Sequence, residues 1–71
     1  MSFARDVIGK NIKYHMKLKN MTIKKLAEKS RFTLNDLNRV VEGDLLINPK
    51  ELQEIASVLG TTKHDLLKEN I

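Results

Sequence analysis

The side chains of this chain that could do chemistry are mostly cations, and they are unevenly distributed. Thirteen of the 71 residues are Lys or Arg and nine are Asp or Glu, for a formal net charge of +4. Residues 1–31 carry nine basic and two acidic residues, whereas residues 32–71 carry four basic and seven acidic ones. A basic end of this kind suits a polyanion, with nucleic acid as the first partner and an anionic membrane or an acidic protein as the second. An ordinary solvated lysine-rich surface explains the charge equally well.

The other reactive side chains do not form a catalytic or metal-binding set. There is no cysteine, and His15 and His64 lie far apart without the spacing of metal ligands. The sequence offers no paired carboxylates, no nucleophile with a base and no Gly-rich phosphate loop. We therefore expect no enzyme activity, no metal and no cofactor. The cysteine content fits a reducing cytoplasm, and no segment approaches the ~20 apolar residues of a membrane span, so we expect a cytoplasmic protein without a membrane partner.

Helical spacing of apolar residues predicts the elements that position these cations. The first helix carries Phe3, Val7, Ile8, Ile12 and the run 14–16, and Asn20 ends it. A short second helix begins after the N-cap Thr22, runs to Lys29 and turns Leu26 and Ala27 inward; a third begins after Thr33, with Leu37 and Val40 on its inner face, and closes at Gly43.

Two more helices follow a short loop. Asn48, Pro49 and Glu51 form a capping-box start for a helix that buries Leu52, Ile55, Ala56 and Leu59 and ends at Gly60. Thr62 and Asp65 begin the last helix, which carries Leu66 and Leu67. The sequence thus predicts one all-α domain over residues 1–71 with five short helices and no strand.

The segment 22–42 is a short helix, a three-residue turn and a second short helix, which is the pattern of a DNA-binding helix-turn-helix. Its flanks strengthen this interpretation, because residues 8–67 match one family without a gap. The matching pieces are Ile8-Gly9, Ile12-Lys13, Met21-Thr22, Leu26-Ala27-Glu28-Lys29, Leu37, Arg39-Val40, Gly43, Leu52, Ile55-Ala56, Leu59-Gly60 and Asp65-Leu66-Leu67.

With these pieces the chain resembles the Cro/lambda-repressor (xenobiotic-response-element type) helix-turn-helix family. The resemblance implies a compact five-helix, lambda-repressor-like domain that binds specific duplex DNA as a transcriptional regulator. It also implies a homodimer on a palindromic operator with half-sites roughly 34 Å apart. The size and the family together suggest a phage or mobile-element regulator, which is an argument from analogy.

Four positions depart from the family pattern. Ile23 stands where many members have a glutamine that grips DNA, and Arg31 stands where the turn often has a glycine. Many members also bury an arginine of the first helix against a glutamate at the end of the third, and these positions are Met16 and Val41 here. Replacing both partners by apolar groups avoids a stranded buried charge, which costs about 3–5 kcal/mol. We therefore expect Met16 and Val41 to touch.

The resemblance also implies which residues meet DNA. Arg can pair with guanine, Asn with adenine, and Leu can contact a thymine methyl group. The expected base-reading residues are Thr33, Leu34, Asn35, Asn38 and Arg39. Asp36 suits the helix start better than a base. Phosphates would be met at the start of the second helix by Thr22, Lys24 and Lys25, aided by backbone N–H groups.

Two features of the sequence count against a plain DNA-binding function. The third helix carries Arg39 against Asp36 and Glu42, and the following loop, Asp44-Leu45-Leu46-Ile47, has no basic residue. One or two of these apolar loop residues would cap the small core, whereas an exposed one would mark a contact with a second subunit or a partner protein. By the resemblance, the dimer or partner candidates are Leu46, Ile47, His64 and Leu67.

Two functions therefore stay open. The first is a sequence-specific DNA-binding regulator, more readily a repressor than an activator, with the third helix in the major groove. The alternative is a protein-interaction module that reuses the fold, such as an antirepressor or an antitoxin-like binder of a partner protein.

Overall fold

A computed structural model describes residues 4–69, and within this range the chain forms five α-helices and no strand. The helices are α1 (Ala4–Leu18), α2 (Ile23–Lys29), α3 (Leu34–Val41), α4 (Pro49–Leu59) and α5 (Lys63–Leu67). The predicted all-α, five-helix architecture is confirmed. Phe3, which the sequence assigns to the first helix, lies outside the described residues.

The starts of α2 to α5 are fixed by side-chain caps at the predicted residues. Thr22, Thr33 and Thr62 each accept the backbone N–H three residues further on, at 3.1 Å. Asn48 and Glu51 form a reciprocal capping box, with hydrogen bonds of 2.8 and 3.0 Å. These bonds satisfy backbone donors that a helix cannot satisfy internally, so they set where each helix begins.

Three of the helices end at residues in the left-handed conformation. Asn20, with φ of 56°, follows α1, and Gly43 and Gly60, with φ of 80° and 71°, follow α3 and α4. The N–H of Asp44 donates to the carbonyl of Arg39 at 2.8 Å, which closes the end of α3 in a Schellman-type turn. The chain therefore reverses sharply after α3, and the loop that follows is short.

The apolar stripes of all five helices meet in one core. α1 packs against α3 and α5, α2 packs against α3 and α4, and α4 packs against α5. The largest fully buried side chains of the described residues are Ile12, Leu26, Leu37, Val40, Ile55, Leu59 and Leu66. Val41 is buried and Met16 packs against this core, so both departures from the family's buried ion pair lie in apolar surroundings; their direct contact stays a prediction.

The length and composition of each helix show whether it could cross a membrane. Within residues 4–69, none of the five helices is both long enough and apolar enough to cross a bilayer.

Candidate nucleic-acid interface

The outer face of α3 is exposed along its whole length. Leu37, Val40 and Val41 face the core and hold the helix in place. The residues that the sequence predicts as base readers all lie exposed at the N-cap and on the outer face: Thr33, Leu34, Asn35, Asn38 and Arg39. This face offers hydroxyl, amide and guanidinium groups beside one leucine, which are the groups that recognise base edges.

Two residues at the start of α3 illustrate how this face is built. The hydroxyl oxygen of Thr33 accepts the N–H of Asp36 at 3.1 Å, which leaves the hydroxyl proton for an outside acceptor. Leu34, in the first turn, is 44% exposed. This apolar side chain is therefore accessible to solvent, and a thymine methyl group is a chemically suitable contact for it.

Asp36 does not share the outward position of its neighbours. It is partly buried and lines a cleft between α3 and the start of α4, together with Arg31, Phe32 and Asn48. Its N–H donates to the side chain of the N-cap Thr33. Its carboxylate, near the start of α3, interacts favourably with the positive end of the helix dipole. Its placement agrees with a role at the helix start.

The start of α2 exposes the residues predicted to meet phosphates. Thr22, Lys24 and Lys25 are all exposed, and the Thr22 hydroxyl oxygen accepts the N–H of Lys25 while its proton stays available. Lys25 Nζ lies 3.8 Å from Glu28 Oε1 in an exposed pair. Ile23, which stands in place of the family's glutamine, packs against the core instead, so this chain has no amide there to hold DNA.

The acidic residue at the end of α3 is paired. Glu42 Oε2 lies 3.4 Å from Lys13 Nζ on α1, and both side chains are exposed. This pair offsets one of the two acidic charges that the sequence places on the third helix. The pair does not change the net charge of the molecule; it places a cation of α1 beside the acidic end of α3.

The turn between α2 and α3 is tied to α4 by a contact that the sequence analysis missed. Glu54 Oε2 accepts the backbone N–H of Arg31 at 2.9 Å, and Glu54 Oε1 lies 3.7 Å from Arg31 Nε. Arg31 does not adopt a positive φ, so the turn accepts an arginine where relatives often have glycine. Glu54 is 23 residues away from Arg31, and no local pattern announces such a partner.

The apolar loop after α3 divides its three residues between core and surface. Ile47 is buried in the core, Leu45 is partly buried against it, and Leu46 is 60% exposed. The sequence left open which of the loop residues cap the core, and Ile47 is one that does. Because its side chain is buried, Ile47 offers no surface for contact with a second subunit. The exposed members of that set are Leu46 in the loop, and His64 and Leu67 in α5.

Comparisons with known proteins agree with this geometry. The fold is similar to that in the crystal structure of the clp gene regulator ClgR from Corynebacterium glutamicum, with a TM-score of 0.88 and 24% identity over 93% of this chain and 70% of that one. No curated protein matches the chain. A family model described as the Cro/C1-type HTH DNA-binding domain matches residues 11–70, which include α2 to α5 and most of α1. The chain therefore belongs to the Cro/C1-type helix-turn-helix DNA-binding domain family.

Proposed function

We propose that this protein binds specific sites in double-stranded DNA, with α3 in the major groove, and regulates transcription. The observation that carries the proposal is the exposed face of α3, which presents Asn35, Asn38 and Arg39 outward while Leu37 and Val40 anchor the helix. A short helix held in this way can enter a major groove about 12 Å wide. Membership of the family supports DNA binding in general, and the exposed residues of α3 support the proposed recognition of specific bases.

Each base-reading residue has a distinct part in this proposal. Arg39 pairs with the O6 and N7 atoms of a guanine, and Asn35 and Asn38 pair with adenines. Leu34 contacts a thymine methyl group, and Thr33 donates its free hydroxyl proton to a base or phosphate at the edge of the groove. The mixture favours a defined site over uniform binding, because these contacts discriminate between bases.

The phosphate contacts come from the start of α2. Thr22 donates its hydroxyl proton to a phosphate oxygen, and Lys24 and Lys25 neutralise neighbouring phosphates. These contacts set the position of the protein on the duplex without reading sequence. Because each neutralised phosphate releases counterions, they also make the affinity dependent on salt.

We further propose a homodimer on a palindromic operator. Leu46, exposed by 60%, and Leu67, exposed by 45%, are large apolar side chains that a subunit contact would cover, and His64 is exposed in the same short helix as Leu67. A two-fold dimer would place its two α3 helices in successive major grooves, roughly 34 Å apart.

The proposed regulation is repression. Occupying an operator that overlaps a promoter excludes polymerase sterically and needs no additional contact surface. The structurally similar ClgR is itself described as a gene regulator, which supports a regulatory role. A reporter gene with the selected site placed over or upstream of its promoter would distinguish repression from activation.

The test is selection of preferred sites from random duplex DNA, followed by affinity measurements across a salt series. Arg39→Ala should cost about 1–3 kcal/mol at one base position, as loss of one bidentate base contact does. Arg5→Ala is the matched control, because it removes the same side chain from an exposed position on α1. We expect this control to keep the preferred site.

A wild-type chain that neither selects a site nor binds DNA at low salt would overturn the proposal. The second function, a protein-interaction module, would then take its place. The specific observation that favours it is Leu46, which is 60% exposed in a loop without basic residues.

A further inference from the structure

We infer that Glu54 on α4 is a positioning residue for the DNA-reading helix: its carboxylate fixes the turn before α3, so discrimination between DNA sites depends on it. The inference rests on the proposed function. Glu54 is not expected to touch DNA; it acts through the backbone of Arg31. It therefore lies outside the base-reading and phosphate-binding residues named above.

The geometry of Glu54 provides the first argument. Oε2 accepts the N–H of Arg31 at 2.9 Å, while Oε1 faces Arg31 Nε at 3.7 Å. One carboxylate thus engages both the backbone and the side chain of the same turn residue. The Glu54 side chain is 30% exposed and that of Arg31 is 88% exposed, so the glutamate is the more constrained partner.

The rest of the turn explains why this contact matters. The N–H of Ser30 donates to Ala27 at 3.3 Å, and the N–H of Phe32 donates to the Ser30 hydroxyl oxygen at 3.2 Å. Both bonds are local and hold the turn to the end of α2. The bond from Arg31 to Glu54 instead spans 23 residues and joins the turn to a different helix.

α4 is a firm anchor for such a contact. It begins in a capping box, and Leu52 and Ile55, which flank Glu54 along the helix, are 2% and 0% exposed. Thr33, the N-cap of α3, is two residues after Arg31 in the chain, and Leu34 and Asn35 follow it directly. Fixing Arg31 to α4 therefore fixes the start of the reading helix relative to the core. Recognition by short side chains needs positions held to about 0.5 Å by such supporting hydrogen bonds.

A positioning role of Glu54 can be distinguished from the electrostatic effect of its negative charge on DNA binding. A carboxylate repels phosphates, so removing it strengthens binding to every DNA sequence if charge alone is at work. Loss of positioning weakens binding to the preferred site and leaves the sequence-independent attraction intact. The ratio of specific to non-specific affinity responds to positioning and not to a uniform charge effect.

The experiment compares three variants with wild type on the selected site and on random duplex DNA, at one salt concentration and at a temperature where unfolding curves show all four folded. Glu54→Ala removes both contacts, and Glu54→Gln keeps an oxygen that can accept the Arg31 N–H. Glu28→Ala is the charge control, because Glu28 lies in the same helix-turn-helix and makes an exposed pair with Lys25.

We expect Glu54→Ala to lower the affinity ratio on the order of 10-fold, the scale of one lost base contact. Glu54→Gln should restore the ratio to within about twofold of wild type, since the backbone hydrogen bond survives. Glu28→Ala should raise both affinities and leave their ratio unchanged. Without DNA, amide hydrogen exchange of Arg31 should be faster in Glu54→Ala than in wild type.

A wild-type ratio in Glu54→Ala, or an unchanged exchange rate at the Arg31 amide, overturns the inference and leaves the proposed function standing. A wild-type protein that selects no site removes the proposed function, and the inference falls with it. The two failures are therefore distinguishable.

Discussion

Gly9 of α1 lies directly against the carbonyl oxygen of Val41 at the end of α3. A Cβ atom on Gly9 would lie 2.8 Å from this oxygen and 2.8 Å from the carbonyl oxygen of Val40, closer than real Cβ atoms approach such neighbours. Both neighbours are backbone atoms, which cannot rotate away as a side chain could. The close contact of α1 with α3 therefore requires glycine at position 9. The absence of a side chain there allows α3 to pack this closely against α1.

Replacing Gly9 by alanine tests this contact. Helix propensity alone predicts a gain of about 1 kcal/mol in the free energy of unfolding, whereas forcing α3 away from α1 predicts a loss of about 1–3 kcal/mol. We expect the loss to dominate in urea unfolding followed by circular dichroism. Lys10→Ala, at the next and exposed position of α1, should stay close to wild type. A Gly9→Ala protein that is more stable than wild type by the full helix-propensity gain of about 1 kcal/mol would show that α1 and α3 are farther apart than described.

Asn11 holds the end of α5 to α1. It is 3% exposed, and its side-chain amide donates to the carbonyl oxygens of Leu66 at 2.8 Å and Lys68 at 2.7 Å. These carbonyls belong to the end of a helix, where no intrahelical donor reaches them. Asn11→Ala removes the donor and leaves acceptors without it, so the free energy of unfolding should fall by about 1–3 kcal/mol.

The control for Asn11 is Gln53→Ala, an exposed amide whose 3.5 Å contact with Ser57 joins residues of the same helix. We expect this variant to change the urea midpoint little. If both variants lost the same stability, the Asn11 contact would have no special role in fixing α5.

The parts of this fold that the sequence predicts are those governed by local chemistry. Thr22 and Asn48 cap helices by reaching three residues ahead, and Asn20 and Gly60 end helices because they tolerate positive φ. The exposed face of α3 follows from the same periodicity that buries Leu37.

Contacts between distant segments were not predictable in this way. In the sequence Glu54 looks like an ordinary glutamate of a helix. Its partner, Arg31, lies 23 residues earlier and is close to it only in the folded chain. Asn11 carries a weak signal, a polar residue in the stripe between Ile8 and Ile12, but its acceptors in Leu66 and Lys68, at the end of α5, are more than 50 residues away. Ile47 and Leu46 are alike in sequence, and packing of the whole chain alone separates the buried one from the exposed one.

The lysines of α2 and α1 should differ in their effect on the salt dependence of DNA binding. Lys24→Ala removes a proposed phosphate contact, so the slope of log affinity against log salt should become shallower by about 0.9. Lys17→Ala removes the same charge from an exposed position on α1, which is not among the proposed phosphate contacts. Its slope should stay near that of wild type. Equal changes in slope for both variants would contradict phosphate contacts at the start of α2.

The proposed dimer makes its sharpest prediction at Leu46. Leu46 is 60% exposed in the loop after α3, and Leu18 is 61% exposed at the end of α1, so Leu18 matches Leu46 in residue type and exposure but is not one of the proposed contact residues. Burying a leucine in a subunit contact contributes about 1.5–3 kcal/mol. Leu46→Lys should therefore raise the dimer dissociation constant by a factor of about 10 or more, measured by sedimentation, whereas Leu18→Lys should leave it near the wild-type value.

The same pair of variants should differ on DNA. If the dimer occupies both half-sites of a palindrome, Leu46→Lys should bind the halves independently and lose affinity for the whole operator, while its affinity for a single half-site stays near wild type. Leu18→Lys should keep the joint binding, because Leu18 is not one of the proposed contact residues. A wild-type chain that is monomeric at high concentration and binds the two half-sites independently would rule out this dimer, and the loop at Leu46 would then be free to bind a different protein.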